Sequence, residues 1–554
     1  MKFKNLFCAL LAGLTLSACS NDEGVTDKVD KTTDQAYVTI SLRNAGALTR
    51  GTGTDDGFVN GTDAESTVNT AEFYFFNADG TYNQHVGKAL TWNASTGNVE
   101  QIADATVVLQ NLKKVGKPKY VVCVLNATPK AYENKTLAQL KEELLNSYLN
   151  GAYFIMSNST YNNGDVASLN FATVIKDENF LKEKPTPETL TTENAVKVYV
   201  ERVASKIEVS VAASLLTDGK ISLGKYDVDG AEQEITIKVL GWGINALNKT
   251  SYVEKRVPAF TTDLGFTWDA ASLFRSFWAC SPNYGGGEYP ASFADGKASN
   301  DELETEVKAS STLKYVSWKS LAKNLGDFDY CLENTNTKAE LESGNFKAKV
   351  THVLLKAQTE AGTDLISYDG RLYTLDKFMA RVLGQLNLSA YKVTTSGEST
   401  SYTQIGVGDL RVVNTYDGTV TVGLTDDAKN ATWSSTSGTT TALTKEALAE
   451  QIANVQIKAD YYKSGMMYYC IPVEHLRGGQ FNVGSDLKVT VNEADYGVVR
   501  NHYYKLTINQ IKKLGTAVYN PDEEIVPVME PQTYFVGAQV NILSWKVVNQ
   551  NVNL

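Results

Sequence analysis

The chain has 554 residues, 43% of them apolar and 21% charged, with a net charge of −11 and a pI of about 5.2. This is a globular composition, and at such a length one hydrophobic core stops growing, so two or more domains are expected. The acidic balance and the lack of a dense Lys/Arg run leave no basic footprint for nucleic acid.

In chain order, residues 1–19 come first: MKFKNLFCALLAGLTLSAC. Lys2 and Lys4 give a positive start, and Leu6 to Leu16 give an apolar stretch too short to span a bilayer, the pattern of an export signal. Leu16-Ser17-Ala18-Cys19 looks like a bacterial lipobox, so residues 1–18 are expected to be a lipoprotein signal peptide and Cys19 the lipidated first residue. Ser20-Asn21-Asp22-Glu23 resembles the short acidic tag that directs some lipoproteins to the outer face of the outer membrane.

Residues 36–43, AYVTISLR, alternate cleanly, with Val38, Ile40 and Leu42 on one face and Tyr37, Thr39, Ser41 and Arg43 on the other. They predict a short, half-buried strand. The stretch ALTRGTG follows at 47–53, and a polar run continues to about Thr70. A single Arg50 in a Gly/Thr-rich linker is expected to be good protease bait.

Alternating and β-branched runs then dominate: AEFYFFN, KYVVCVLN, VKVYVERV, SKIEVSV, ITIKVLGW, FKAKVTHVLL, MMYYCIPV and YYKLTINQI. Turn chemistry separates them at Asp79-Gly80, Asp229-Gly230, Asp369-Gly370, Asp417-Gly418 and Gly285 to Gly287. The fold class expected is mostly β, as antiparallel β-sandwiches with a few short helices. Helices are predicted over Thr136–Leu149, Asp376–Leu386 and Thr444–Val455, each with an apolar stripe for core packing. Two β domains in tandem are expected to meet near residues 212–220, where VSVAASLLTDGK loosens into a turn.

Chemistry is sparse along this path. The four His residues are far apart, without HExxH or an i,i+4 pair, and no GxSxG elbow, P-loop or Rossmann glycine pattern occurs. Asp227-Val228-Asp229-Gly230 lacks the later ligands of a calcium loop and reads as a β-turn. Beyond Cys8 and Cys19, the widely spaced Cys123, Cys280, Cys331 and Cys470 form no CxxC pair, and their disulfide status stays open. No catalytic residue, metal ligand or cofactor site is nominated, and the chain is read as a non-enzyme. The 29 Tyr and 7 Trp leave a surface glycan-binding β-sandwich lipoprotein as the alternative, with a carbohydrate-cleaving enzyme behind it.

The chain closes on GAQVNILSWKVVNQNVNL, residues 537–554, in which Lys546 is the only charged residue. Val540, Ile542, Leu543, Trp545 and Val547 make it β-prone and sticky, an edge that soluble proteins normally blunt. Its apolar phase flips between Ile542 and Leu543, which predicts a bulge or bend.

Five segments carry a family resemblance: LSAC at 16–19, ALTRG at 47–51, VYVERVASKIEV at 198–209, VVRNHYYKLTINQIKKLG at 498–515 and VNILSWKV at 540–547. The chain resembles the fimbrillins of type V pili, within them most the major shaft subunit of the short (minor) fimbrium. The resemblance implies two tandem transthyretin-like β-sandwich domains, here 51–215 and 216–530, preceded by a propeptide over 19–50 and followed by a donor-strand segment over 531–554. It implies cleavage of the Arg50–Gly51 bond by an Arg-specific surface protease. Loss of the strand carrying Val38, Ile40 and Leu42 would then open a groove for a neighbour's terminal strand. The implied partners are identical subunits head-to-tail, tip and anchor fimbrial subunits, and the outer membrane through lipid before maturation. The implied location is a fimbrium on the cell surface.

Overall fold

The computed structural model describes residues 34–45, 61–94, 99–159, 171–186, 194–257, 278–286, 312–342, 349–415, 419–475, 493–526 and 546–553. The first sheet contains β1 (Ala36–Ala45), β2 (Ala71–Phe76), β3 (Tyr82–Lys88), β4 (Asn93–Ala94), β5 (Val99–Leu109), β6 (Tyr120–Leu125), β7 (Met156–Asn158), β8 (Thr173–Val174) and β9 (Ala195–Arg202). Its nine strands run β3-β2-β6-β7-β9-β1-β5-β4, with β8 also on β6. The sheet folds over a core in which Val38, Ile40 and Leu42 of β1 meet Phe73, Phe75, Val107, Cys123 and Val198. AEFYFF in β2 is buried at every position, because its other face packs Tyr74 and Phe76 under Tyr132, Leu140, Val253 and Leu332. A strand covered on both faces reads as a continuous apolar run.

The chain leaves this sheet between Arg202 and Ser205, one strand ahead of the 212–220 stretch where a join was expected. The earlier switch arises because β10 (Ser205–Val211) already pairs elsewhere. The two largest sheets beyond the first also use β11 (Lys220–Val228), β12 (Ala231–Asn245), β13 (Phe328–Cys331), β14 (His352–Thr359), β15 (Leu365–Tyr368), β16 (Arg371–Tyr373), β17 (Leu410–Asn414), β18 (Thr419–Leu424), β19 (Ala459–Tyr462), β20 (Met466–Pro472), β21 (His502–Gln510), β22 (Thr516–Ala517) and β23 (Lys546–Asn553). They form a four-stranded sheet, β13-β10-β21-β23, and a ten-stranded one, β17-β18-β19-β15-β16-β11-β12-β14-β20-β22. Ile207, Val209, Tyr504 and Leu506 of the smaller sheet pack on Ile237, Trp242, Val353 and Leu355 of the larger. Another core lies within residues 366–461, around Phe378, Val382, Trp433 and Leu448.

Pairing among these strands is antiparallel except at β1 with β9, β10 with β21, β11 with β16, and β21 with β23. β1 and β23 each lie beside a strand remote in sequence, the kind of connection that permits parallel pairing. The Asp229-Gly230 turn joins β11 to β12 with φ of 54° and 88°, the left-handed pair of a two-residue hairpin. That places Asp227 to Gly230 in a hairpin turn.

Two predicted helices form nearly as read. Leu375–Leu386 buries Phe378, Val382 and Leu386 behind an N-cap at Thr374. Lys445–Ala453 buries Leu448 and Ile452 behind Thr444, which accepts from the Ala447 N–H, while Val455 stays outside and exposed. The third is a correction: the helix expected over Thr136–Leu149 is only Leu137–Lys141, capped by a Thr136/Gln139 box. Leu144–Leu145 instead pairs with Ser251–Tyr252, and Ser147 Oγ bonds to both backbone groups of Leu149. Local hydroxyl bonding and a strand partner remote in sequence outcompete the helical periodicity. Leu144 is exposed, so the stripe was misleading at that point.

Candidate functional site

β1 lies inside its sheet, antiparallel to β5 and parallel to β9. Val38, Ile40 and Leu42 are each 0% exposed. Opposite them on β5 stand Val107, Ala105 and Ala103, and on β9 the partners of Ile40 and Leu42 are Val196 and Val198. The two alanines leave room in which large β1 side chains can seat.

The other face of β1 is polar and also covered. Thr39 is 0% exposed, and its hydroxyl meets that of Thr106 at 2.9 Å. Ser41 stands between Asp104 of β5 and Lys197 of β9, both exposed. Just upstream, the Leu112 N–H donates to the Asp34 carbonyl at 3.2 Å, the Lys113 N–H donates to Asp34 Oδ1 at 3.0 Å, and Tyr37 exchanges two backbone bonds of 2.8 Å with Leu181. The strand predicted from alternation is therefore an integral core element, more buried than the half-buried strand expected.

Downstream of the linker the chain is anchored separately. Residues Asp63–Ser66 form one helical turn, α1, N-capped by Thr62 in a box with Glu65. Lys206 Nζ reaches Glu65 Oε1 at 2.7 Å, and the Tyr330 hydroxyl donates to the same oxygen. Arg202 Nε donates to the Glu65 carbonyl at 2.8 Å, Nη2 to Ser66 Oγ at 3.0 Å and Nη1 to Asn501 Oδ1 at 3.2 Å. Burial opposes ionisation of Glu65, but hydrogen bonds from Lys206, Tyr330 and the Thr62 backbone, with the Lys206 charge, outweigh it and hold its carboxyl below the usual range. A Cβ on Gly61 would collide with the Arg202 guanidinium, so a larger residue there has to displace that side chain. Thus residues 61–66 are fastened to the rest of the protein independently of β1.

A second buried arginine, Arg500, reaches the first sheet, with Nη1 3.5 Å from Ser157 Oγ of β7. Arg500 Nη2 donates to Glu333 Oε2 at 2.7 Å and to the Tyr252 carbonyl at 2.7 Å, while Nη1 donates to the Val253 carbonyl at 3.0 Å. Close by, Lys255 pairs with Glu201 at 3.1 Å with both side chains 0% exposed. The neighbouring Glu254 has no hydrogen bond on either oxygen. Burial pushes its carboxyl well above the usual range, partly offset by Arg500 and reinforced by Glu201.

Sequence reasoning did not assign roles to Arg202, Lys206 or Arg500. The available signal was charge inside otherwise apolar strands, VERVASK and VVRNHYY. Of the predicted site residues, Val38, Ile40 and Leu42 are brought together in the slot. Cys19, Arg50, Gly51, Val540, Ile542, Leu543 and Trp545 lie outside the described residues. Val547 falls on β23, which pairs in parallel with β21 of the same chain, Tyr503 against Val547. In the single chain this part of the tail, expected to be bare, is a sheet edge with one side already paired. Cys123, Cys280 and Cys331 are thiols outside any disulfide.

Residues 460–551 match the family model "Major fimbrial subunit protein type IV, Fimbrillin, C-terminal". That span begins within β19 and ends within β23, and it contains β20, β21, β22 and the Arg500 joint. No curated protein matches the chain. Among solved structures, a putative cell adhesion protein from Parabacteroides distasonis ATCC 8503 is 14% identical, covering 94% of this chain and 100% of that one at a TM-score of 0.35. The tip fimbrial protein Mfa3 from Porphyromonas gingivalis, with a C-terminal truncation, is 12% identical over 67% of this chain and 98% of its own at a TM-score of 0.28. Likeness at these TM-scores carries nothing about function.

Proposed function

We propose that this chain, a fimbrillin by its C-terminal region, is a shaft subunit that polymerises by protease-triggered strand exchange. Cys19 carries the lipid that holds the precursor at the outer membrane. An Arg-specific surface protease cuts the Arg50–Gly51 bond, and the segment from Cys19 to Arg50 departs with β1. The C-terminal strand of a neighbour, carrying Val540, Ile542, Leu543, Trp545 and Val547, then enters the vacated slot.

The observation that carries this reading is the position of β1. A strand upstream of the predicted cut fills the centre of a sheet and buries Val38, Ile40 and Leu42 completely, while Asp63–Ser66 is anchored on the far side of the cut. Removing β1 exposes unpaired backbone on β5 and β9 and uncovers three apolar sites, worth roughly 1.5–3 kcal/mol each. A donated strand satisfies both by β-augmentation. The contact is head-to-tail and does not close, so it propagates as a filament. Because Lys546–Asn553 lies on β21 in the single chain, any part of that strand entering the slot must first leave β21.

The domain division that accompanies this reading is 1–18 signal, 19–50 propeptide, a first sandwich from 51 to the change of sheet at Val203, a second from there to 530, and 531–554 donor. Identical subunits are its main partners, with accessory tip and anchor subunits at the ends and adhesion as the outcome. The test is Arg50→Ala, read as ladders on denaturing gels run without boiling. Loss of ladders is expected; undiminished ladders would remove the cleavage step.

A further inference from the structure

We propose that Asp104 and Thr106 of β5 set the direction and register of the entering strand, with Ser544 of a second copy facing Thr106 and Lys546 facing Asp104. This rests on the strand-exchange reading above and adds to it which residues meet.

The slot asks for three large apolar side chains spaced two apart, at the levels of Val38, Ile40 and Leu42. Within residues 537–554 only Leu543, Trp545 and Val547 meet that spacing with residues of Val size or larger. Trp545 then falls at the level of Ile40, opposite Ala105, whose small side chain leaves space for it. A β-strand has period two, so a slip by one residue would turn all three away from the core.

The apolar face does not fix direction, since Trp545 is central whichever way the strand enters. The polar face does. Entering in the direction of β1, the strand puts Ser544 at the level of Thr39 and Lys546 at the level of Ser41. Ser544 then repeats the hydroxyl pair that Thr39 makes with Thr106 at 2.9 Å. Lys546 lies beside Asp104, an exposed carboxylate, with Lys197 on the β9 side. Its long stem lets the ammonium reach outward to that acid.

The reversed strand places Lys546 at the level of Thr39, where exposure is 0% and Thr106 offers a hydroxyl in place of a carboxylate. Burying a charge without an opposite partner is costly. The only charged residue of the tail therefore rejects one direction and favours the other, and Asp104 gives the donor an ion pair for which the leader has only Ser41.

Directly opposed antiparallel residues have Cα atoms about 4.5–5.5 Å apart, inside the roughly 4.4–6.8 Å that a disulfide spans. Processed subunits carrying Thr106→Cys are mixed with processed subunits carrying Ser544→Cys or Lys546→Cys and oxidised, with the unsubstituted chain as the background control. Intermolecular dimers mapped to 106 and 544, without those to 106 and 546, are expected. A 106–546 link in place of 106–544 overturns the proposed direction and leaves strand exchange standing. Filaments that form with neither link overturn the slot reading itself. If the cysteine chains do not fold, assembly rates decide: Asp104→Lys should slow growth about two- to five-fold and Lys546→Glu in the same chain restore it, the range for an exposed ion pair. Unchanged growth with Asp104→Lys overturns the role of Asp104.

Discussion

Glu254 is fully enclosed, and neither of its carboxyl oxygens finds a hydrogen-bond donor. Its folded-state pKa is raised, so its contribution to stability is complete below the unfolded value and is lost as pH rises through the folded value. Between those two values folding must hold a proton that the unfolded chain has released. Glu254→Gln keeps the shape and removes the titration. The variant should melt higher than the parent at pH 9, with a smaller difference at pH 5, in a thermal scan at both. Equal differences at the two pH values would place the penalty elsewhere. Arg500 and Arg202 show the opposite economy of buried charge, since each guanidinium is met by carboxylate, carbonyl or side-chain oxygens and crosses between segments hundreds of residues apart. The sequence displays these residues as charges within apolar runs, but nothing local names Glu333, Val253 or Asn501 as their partners.

Among elements, β1 was the most legible and its surroundings the least. Alternation from Tyr37 to Arg43 specifies a strand with Val38, Ile40 and Leu42 on one face. That the strand sits between β5 and β9 follows from pairings across about 60 to 160 residues, which periodicity does not encode. A test belongs at this scale. Ile40→Ala should destabilise the uncleaved chain by about 2–5 kcal/mol, as a large-to-small change in a packed core. Processed filaments, which on the proposed route lack β1, should keep the denaturation midpoint of the parent. Equal loss in both would mean that β1 stays in place after assembly. The helix at Leu375–Leu386 was readable from its apolar spacing alone, and the one at Lys445–Ala453 because spacing and the Thr444 cap agree locally. The segment after Lys141 was not, because Ser251–Tyr252 and the Ser147 hydroxyl supply hydrogen bonds that a helical stripe does not anticipate.

At the scale of the whole molecule, the chain carries a strand in its first sheet and one at the edge of another, β1 and β23, each paired in parallel to a strand remote in sequence. β23 has β21 on one side only, so its loss removes an edge and no interior strand. A chain truncated after Val540 should therefore remain folded and soluble, eluting as a single species in size-exclusion chromatography, while forming no filaments by electron microscopy. Filament growth without those residues would rule out the tail as donor.

By itself the sequence determined a β-rich chain, the phase of β1, the hairpin at Asp229-Gly230 and two helices, one of them with its cap, because each depends on side chains within a few residues of one another. Tertiary structure alone decided that β1 is interior, that the sheets change at Val203, and that Lys546–Asn553 rests on β21. Those outcomes depend on which remote backbone edges and buried charges satisfy each other, and a local pattern of side chains holds no record of that choice.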